Sequence, residues 1–227
     1  MLLAIDTSTT MASVAVLDPA QPGVAVSAAQ PAQNRHAEVL TPLIEAVLSQ
    51  AGVGLSQVRR VAVGVGPGPF TGLRVGIVTA LPLGAARGIP VVGVCSLDVL
   101  ALAAASAGVV EDGQLLAVGD ARRREVYWAR YAVADGRIRR LAGPSVDQPG
   151  AVPDAGTLPA VGAGALLYSD VFGPIPGGAA ATPDAAVLAS AVAGAVLPEL
   201  DPVPLYLRRP DARPAAPGAP AAGIAAR

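Results

Sequence analysis

Leu2-Leu3-Ala4-Ile5-Asp6-Thr7-Ser8-Thr9-Thr10-Met11-Ala12-Ser13-Val14-Ala15-Val16-Leu17 is the stretch that decides the fold. Leu2 to Ile5 is a short, continuous apolar run of the kind a buried strand needs. Asp6 to Thr10 supplies a polar turn and Ala12 to Leu17 resumes the apolar segment, so a β-hairpin is the economical reading. Working outward, Gly23 to Ala29 is a third strand after the breakers Asp18-Pro19 and Pro22-Gly23. Asn34 is a candidate cap for a helix from about Arg35 to Ala51, ended by Gly52. Val58 to Val65 is the next strand, and a loop dense in Gly and Pro follows it. A second helix from about Thr71 to Ala86 then leads to strand Val91 to Val94. Pro82 lies inside that helix and is expected to kink or shorten it.

After a third helix, roughly Leu97 to Ala107, the pattern restarts. Gln114 to Asp120 and Glu125 to Val133 read as strands joined by the turn Ala121 to Arg124, and Arg137 to Leu141 extends them into a meander. Leu158 to Val161 reads as a strand, Gly162-Ala163-Gly164 as a loop, and Asp184 to Leu197 as an Ala-rich helix capped by Asp184. Two successive sheet-plus-helix blocks point to an α/β chain with a duplicated domain. The expected division is residues 1–108, residues 109–209, and a Pro/Ala-rich tail over 210–227 that is read as disordered.

The chain has 227 residues, 52% apolar and 15% charged, which suits a compact core and fits neither a disordered chain nor a coiled coil. A net charge of −1 argues against gripping nucleic acid by bulk electrostatics, so any such contact must be local. All 16 basic residues are Arg, which excludes a phosphate-loop lysine, a Schiff-base lysine and a Ser/Lys dyad. With one Cys, Cys95, and one His, His36, neither an internal disulfide nor a Cys/His zinc cluster can be assembled. Met1 to Asp6 lacks a basic region before its apolar run, so a cytoplasmic location is expected. Ile89 to Val110 contains Pro90 and is divided by Asp98, and its longest uncharged part falls short of the roughly 20 residues a membrane helix requires.

The loop from Gly64 to Gly72 lies between a strand and a helix, where amides and the helix dipole can hold a phosphate. It matches neither nucleotide fingerprint, and Pro67 and Pro69 each lack an N–H, so a turn that stiffens the helix entry is the competing reading. Gly72, Gly76, Ala80 and Gly84 recur every four residues and form a ridge along which another element can approach closely, in a partner or in the same chain. In the first helix, Glu38, Thr41, Glu45 and Ser49 form one narrow polar stripe. Val39, Leu40, Leu43, Ile44, Val47 and Leu48 cover an arc wider than one buried face needs, which leaves a side for docking or for a sandwich within the domain. Asp6, Thr7, Ser8 and Thr9 are candidate nucleotide contacts, a carboxylate for hydrated Mg²⁺ and hydroxyls for phosphate; a plain turn is the alternative. Arg122, Arg123 and Arg124 at the hairpin tip are candidate RNA contacts, with a solvated turn as the default. His36 suits a capping or interface role.

Several segments together resemble a known family. They are Leu3-Ala4-Ile5-Asp6-Thr7-Ser8, Arg35-His36-Ala37-Glu38, the run from Gly64 to Gly76, Ser96-Leu97-Asp98, Asp120-Ala121-Arg122-Arg123, Glu125-Val126-Tyr127 and Pro204-Leu205-Tyr206-Leu207-Arg208. In order and spacing they are similar to the TsaB (YeaZ) family. The resemblance implies an actin-like (ASKHA) fold of two ribonuclease-H-like domains, with mixed sheets flanked by helices. It also implies a noncatalytic scaffold subunit, without a cofactor or metal, required for threonylcarbamoyl transfer to the adenosine beside the tRNA anticodon. Its partners would be a TsaD-type transferase subunit and a TsaE-type ATPase, with tRNA met through the complex and self-association through related surfaces. The residues assigned to partner binding are His36, Leu40, Ile44, Val47, Gly72, Leu73, Gly76 and Ala80. An actin-like phosphoryl-transfer enzyme is the alternative, and a metallopeptidase the last. The chain departs from the family at Leu81-Pro82-Leu83-Gly84 and at Pro69, where Ser is commoner.

Overall fold

A computed structural model describes residues 1–21, 23–176 and 180–208; the expected tail 210–227 lies outside them. The opening hairpin forms as read. Strands β1 (Leu2–Asp6) and β2 (Met11–Leu17) pair antiparallel, with Ile5 opposite Val14 and Leu3 opposite Val16. Strand β3 (Ala25–Pro31) adds antiparallel to β2. On the other edge, β4 (Arg60–Gly64) and β5 (Val91–Val94) add parallel, which gives the order β3-β2-β1-β4-β5.

Because side chains alternate along a strand, this sheet has two apolar faces. Leu3, Ile5, Val14, Val16, Val61 and Val63 meet helices α1 (His36–Gln50) and α2 (Phe70–Arg87). Leu2, Ala4, Ala15, Leu17 and Ala62 meet helix α6 (Ala185–Ala193), whose Asp184 caps it as expected by accepting from the Ala186 N–H.

The second sheet repeats the plan in shortened form, with β6 (Gly113–Asp120), β7 (Val126–Ala134), β8 (Arg137–Asp147) and β9 (Ala160–Val161) in the order β8-β7-β6-β9. Three antiparallel strands followed by a parallel one, in both sheets, is the ribonuclease-H-like order; two such units make the actin-like fold. One face of this sheet, with Tyr127 and Tyr131, packs on helix α3 (Ser96–Ser106). The other, with Trp128, packs near helices α4 (Ala163–Leu167) and α5 (Ser169–Phe172).

The two halves exchange helices. Helix α3 follows the first sheet in sequence but covers the second, and α6 comes from the second half but covers the first. A boundary at residue 108 therefore separates each helix from the sheet it buries. Buried Asp98 on α3 fastens the exchange: it accepts from the Tyr131 hydroxyl at 2.6 Å and pairs with Arg140 of β8. Burial, and then the Asp98 charge, push the neighbouring Cys95 thiol up to about 12, so it is an inert core thiol.

Three local expectations change. Asn34 does not cap α1; Arg35 takes that position and Asn34 turns with φ 61°. Pro82 does not shorten α2, which continues to Arg87 and stops at Gly88 with φ 61°. Pro82 is on the exposed side, while Ala80 and Gly84 hold the helix to its neighbours. The Gly162-Ala163-Gly164 segment begins α4 rather than forming a loop, because Gly162 and Gly164 let the helix press on β6 carbonyls. Among the described residues no helix is long and apolar enough to cross a membrane.

Leu188 of α6 is fully buried against the first sheet. Leu188→Ala is expected to lower the unfolding free energy by about 2–5 kcal/mol in a urea titration.

Candidate functional site

Where the actin-like plan brings its two units together, the β1–β2 turn meets the start of α2 and the start of α3. Asp6 ends β1 with 2% of its surface exposed. One carboxylate oxygen accepts from the Ser8 N–H at 2.8 Å and the Ser8 hydroxyl at 2.6 Å. The other accepts from the Ser96 hydroxyl at 2.7 Å. Ser96 is tied in turn to the glycine-rich loop, donating its N–H to the Gly66 carbonyl at 2.8 Å and accepting from the Gly66 N–H at 3.2 Å. Burial pushes the Asp6 carboxyl above its ordinary 3.8, against the Ser8 and Ser96 hydrogen bonds and the His36 charge, which pull it down.

The glycines are needed for this contact. A Cβ on Gly64 would lie 1.9 Å from an Asp6 oxygen, and one on Gly68 would lie 2.2 Å from the Ser8 carbonyl. On α2, a Cβ at Gly76 would lie 2.5 Å from the Thr7 hydroxyl, which accepts from the Gly76 N–H at 3.1 Å. The ridge of small residues thus faces this chain's own interior: Gly72 and Gly76 meet Thr7 after β1, and Gly84 meets Val91 of β5. His36, at the start of α1, donates from Nε2 to the Thr9 carbonyl at 2.8 Å and lies against Gly72, bracing the turn from the other side.

Most of the docking set read from the sequence is buried within the chain. Leu40, Val47, Gly72, Leu73, Gly76 and Ala80 are interior, as is His36, and none of them is on the outer surface. The wide apolar arc of α1 is filled twice within the chain, by the sheet and by α2. Ile44 alone of the set borders an open groove between the two helices. The outer face instead presents Val78, 64% exposed, and Leu81 of α2; Val78 lines a groove of about 420 Å³ with Ala37, Val75 and Thr79, and Thr79 and Leu83 line another of about 510 Å³.

The nucleotide reading meets the same obstacle. Thr7 is buried with its hydroxyl turned to α2, and both Asp6 oxygens have protein donors. The cleft beside Ser8, Thr9 and Thr10 encloses about 80 Å³, well below the roughly 300 Å³ at which ligand pockets begin. Arg122, Arg123 and Arg124 are exposed at the β6–β7 turn, close to Phe70 and Tyr206. Sequence reading gave no role to Ser96, Asp98 or Tyr206, although each lies in a quoted segment. What they do depends on partners 90, 42 and 132 positions away, and no spacing rule reaches that far.

Asp6→Ala is expected to cost about 1–3 kcal/mol, because it strands the Ser8 and Ser96 donors. Asp6→Asn keeps most partners without the buried charge. A raised carboxyl pKa means that the native state binds the proton more tightly than the unfolded chain, so this group's contribution weakens as pH rises through the folded value. Urea titrations should therefore find Asp6→Asn at least as stable as wild type at neutral pH, with wild type gaining on it toward acid. Leu40→Asp and Gly76→Leu are expected to unfold the chain, by more than about 3 kcal/mol, and not merely to weaken association.

Comparison with known proteins agrees with this geometry. The model of the family "TsaD: tRNA N6-adenosine threonylcarbamoyltransferase" matches residues 26–166, more than half of the chain. An uncharacterized protein of Mycobacterium leprae is 44% identical over 190 residues, which are 79% of this chain and 46% of that protein. The tRNA threonylcarbamoyladenosine biosynthesis protein TsaB of Haemophilus influenzae is 39% identical over 129 residues, 57% of this chain and 52% of that one. The chain thus spans about half the length of these curated relatives. YeaZ from Pseudomonas aeruginosa superposes with a TM-score of 0.75 at 34% identity, covering 91% of this chain and 99% of its own. With the duplicated strand order, the Asp6-Thr7-Ser8 turn and the Gly64–Gly76 approach all in place, this chain belongs to the TsaB/YeaZ family.

Proposed function

We propose that this chain is a noncatalytic scaffold subunit in the biosynthesis of threonylcarbamoyladenosine on tRNA. It binds a TsaD-type transferase subunit through the outer face of α1 and α2 and, with it, a TsaE-type ATPase; it works in the cytoplasm and meets tRNA through the complex. The observation that carries this reading is the exposed apolar seam of α2, where Val78 lines an open groove and Leu81, also exposed, follows on the next turn. Exposed aliphatic residues gathered along a groove mark an interaction site in a chain of this size. Burying them yields about 25 cal/mol per Å², from which the cost of association is subtracted.

The noncatalytic part rests on Asp6. In an actin-like phosphoryl-transfer enzyme a carboxylate at this turn would hold a metal; here its oxygens are taken by Ser8 and Ser96. The same outer face serves self-association, so a homodimer and the complex compete for it.

Val78→Asp tests the reading. Val78 is largely exposed, so the variant should fold with stability within about 0.5 kcal/mol of wild type. Its affinity for the transferase subunit, read by calorimetry, is expected to fall about 30-fold or more, as for a central contact of an interface. Undiminished binding by the folded variant would refute the proposal.

A further inference from the structure

The exchange of α3 and α6 leaves a cavity of its own. About 780 Å³ of space lies between the end of α3, helix α6 and the turn that follows it, the β7–β8 turn and the segment entering β3. That volume falls within the roughly 300–1,000 Å³ of small-molecule sites. None of its lining residues belongs to α1 or α2, so it is separate from the partner face proposed above.

Two kinds of group line it. Leu102, Ile138, Val187, Ala191 and Val196 supply an aliphatic wall. Val196 is 52% exposed, and Val24, flanked in sequence by the lining residues Gly23 and Ala25, is 67% exposed. Aliphatic area left in water around a cavity favours an apolar occupant. The polar side chains of the lining are Ser106, Ser190 and Arg137. Among the described residues none bonds to either serine hydroxyl, none pairs with the Arg137 guanidinium, and no carboxylate lines the cavity. Arg140, three positions further along β8, holds Asp98, and Arg60 and Arg130 hold Glu199 and Asp154. Arg137 has no such carboxylate and borders the aliphatic wall instead.

A lone guanidinium beside an aliphatic wall selects a ligand with one anionic head and an apolar body. A carboxylate matches the guanidinium fork with two parallel hydrogen bonds, and it also accepts from serine hydroxyls. An inorganic anion would leave the wall in water, and a neutral hydrocarbon would leave the guanidinium without a partner. We infer that this cavity is a binding site for a medium-chain aliphatic monocarboxylate, its head on Arg137 and its chain along Leu102, Val187 and Val196.

Isothermal titration calorimetry of the full-length chain with octanoate tests the site, with octanol and acetate as the probes that lack the charge and the chain. Octanoate is expected to bind at one site, about tenfold or more tightly than either. Arg137→Gln is expected to weaken octanoate about tenfold, as for a hydrogen bond to a charged group, and to leave octanol unchanged. Ser190→Phe fills the cavity and is expected to weaken both ligands. Val196→Trp is a second blocking variant, at an exposed position, and a melting curve checks the fold of each. Absence of octanoate binding by wild type would overturn the inference. So would octanoate affinity that Arg137→Gln leaves intact, or that survives in a folded blocking variant. The Val78 experiment stands whichever of these results is found.

Discussion

The buried Asp6 carboxylate is the constraint around which the molecule is organised. It ends the first strand, and its two oxygens gather hydrogen bonds from its own turn at Ser8 and from the start of α3 at Ser96. A buried charge is costly unless every lone pair finds a donor, so these groups must meet with little tolerance. That demand explains the glycines across from it: the loop after β4 and the inner side of α2 must come within a hydrogen bond of the β1–β2 turn, and a Cβ at Gly64, Gly68 or Gly76 would block them.

The joining of the two units follows. Ser96 begins α3, so the Asp6–Ser96 bond links the first sheet to the helix that covers the second. Helix α6 returns to cover the first sheet, and Asp98 with Tyr131 and Arg140 fastens α3 to the second. The segment after α6 adds a strap: the Leu205 N–H donates to the Val65 carbonyl at 2.8 Å, and Arg208 reaches the β6–β7 turn. With both helices exchanged and the strap across them, the cleft between the units is narrow. A cavity of about 80 Å³ is what such tying leaves.

For function, the arrangement separates interior from surface chemistry. The residue types that suggested a nucleotide site serve the interior, where hydroxyls and a carboxylate satisfy one another. The exposed aliphatic residues Val78 and Leu81 lie on the outer face of α2, opposite the small-residue ridge. A helix with small residues on one side and aliphatic residues on the other is read correctly only once it is known which side meets the sheet. Ridge spacing signals close approach but does not say to what.

From the sequence alone, the hairpin, the alternation of strands and helices, the restart after the third helix and the capping by Asp184 were legible, because hydrophobic period, turn residues and caps are local. The missing lysine and the single histidine likewise excluded whole classes of chemistry. The tertiary structure alone decided that α3 and α6 trade sheets, that Leu40, Gly76 and His36 face inward, and that Asp6 is engaged by Ser96. Each depends on groups far apart in the chain meeting in three dimensions: the burial of a helix face and the pairing of a carboxylate are properties of the packed neighbourhood, and residue spacing carries no record of which neighbour arrives.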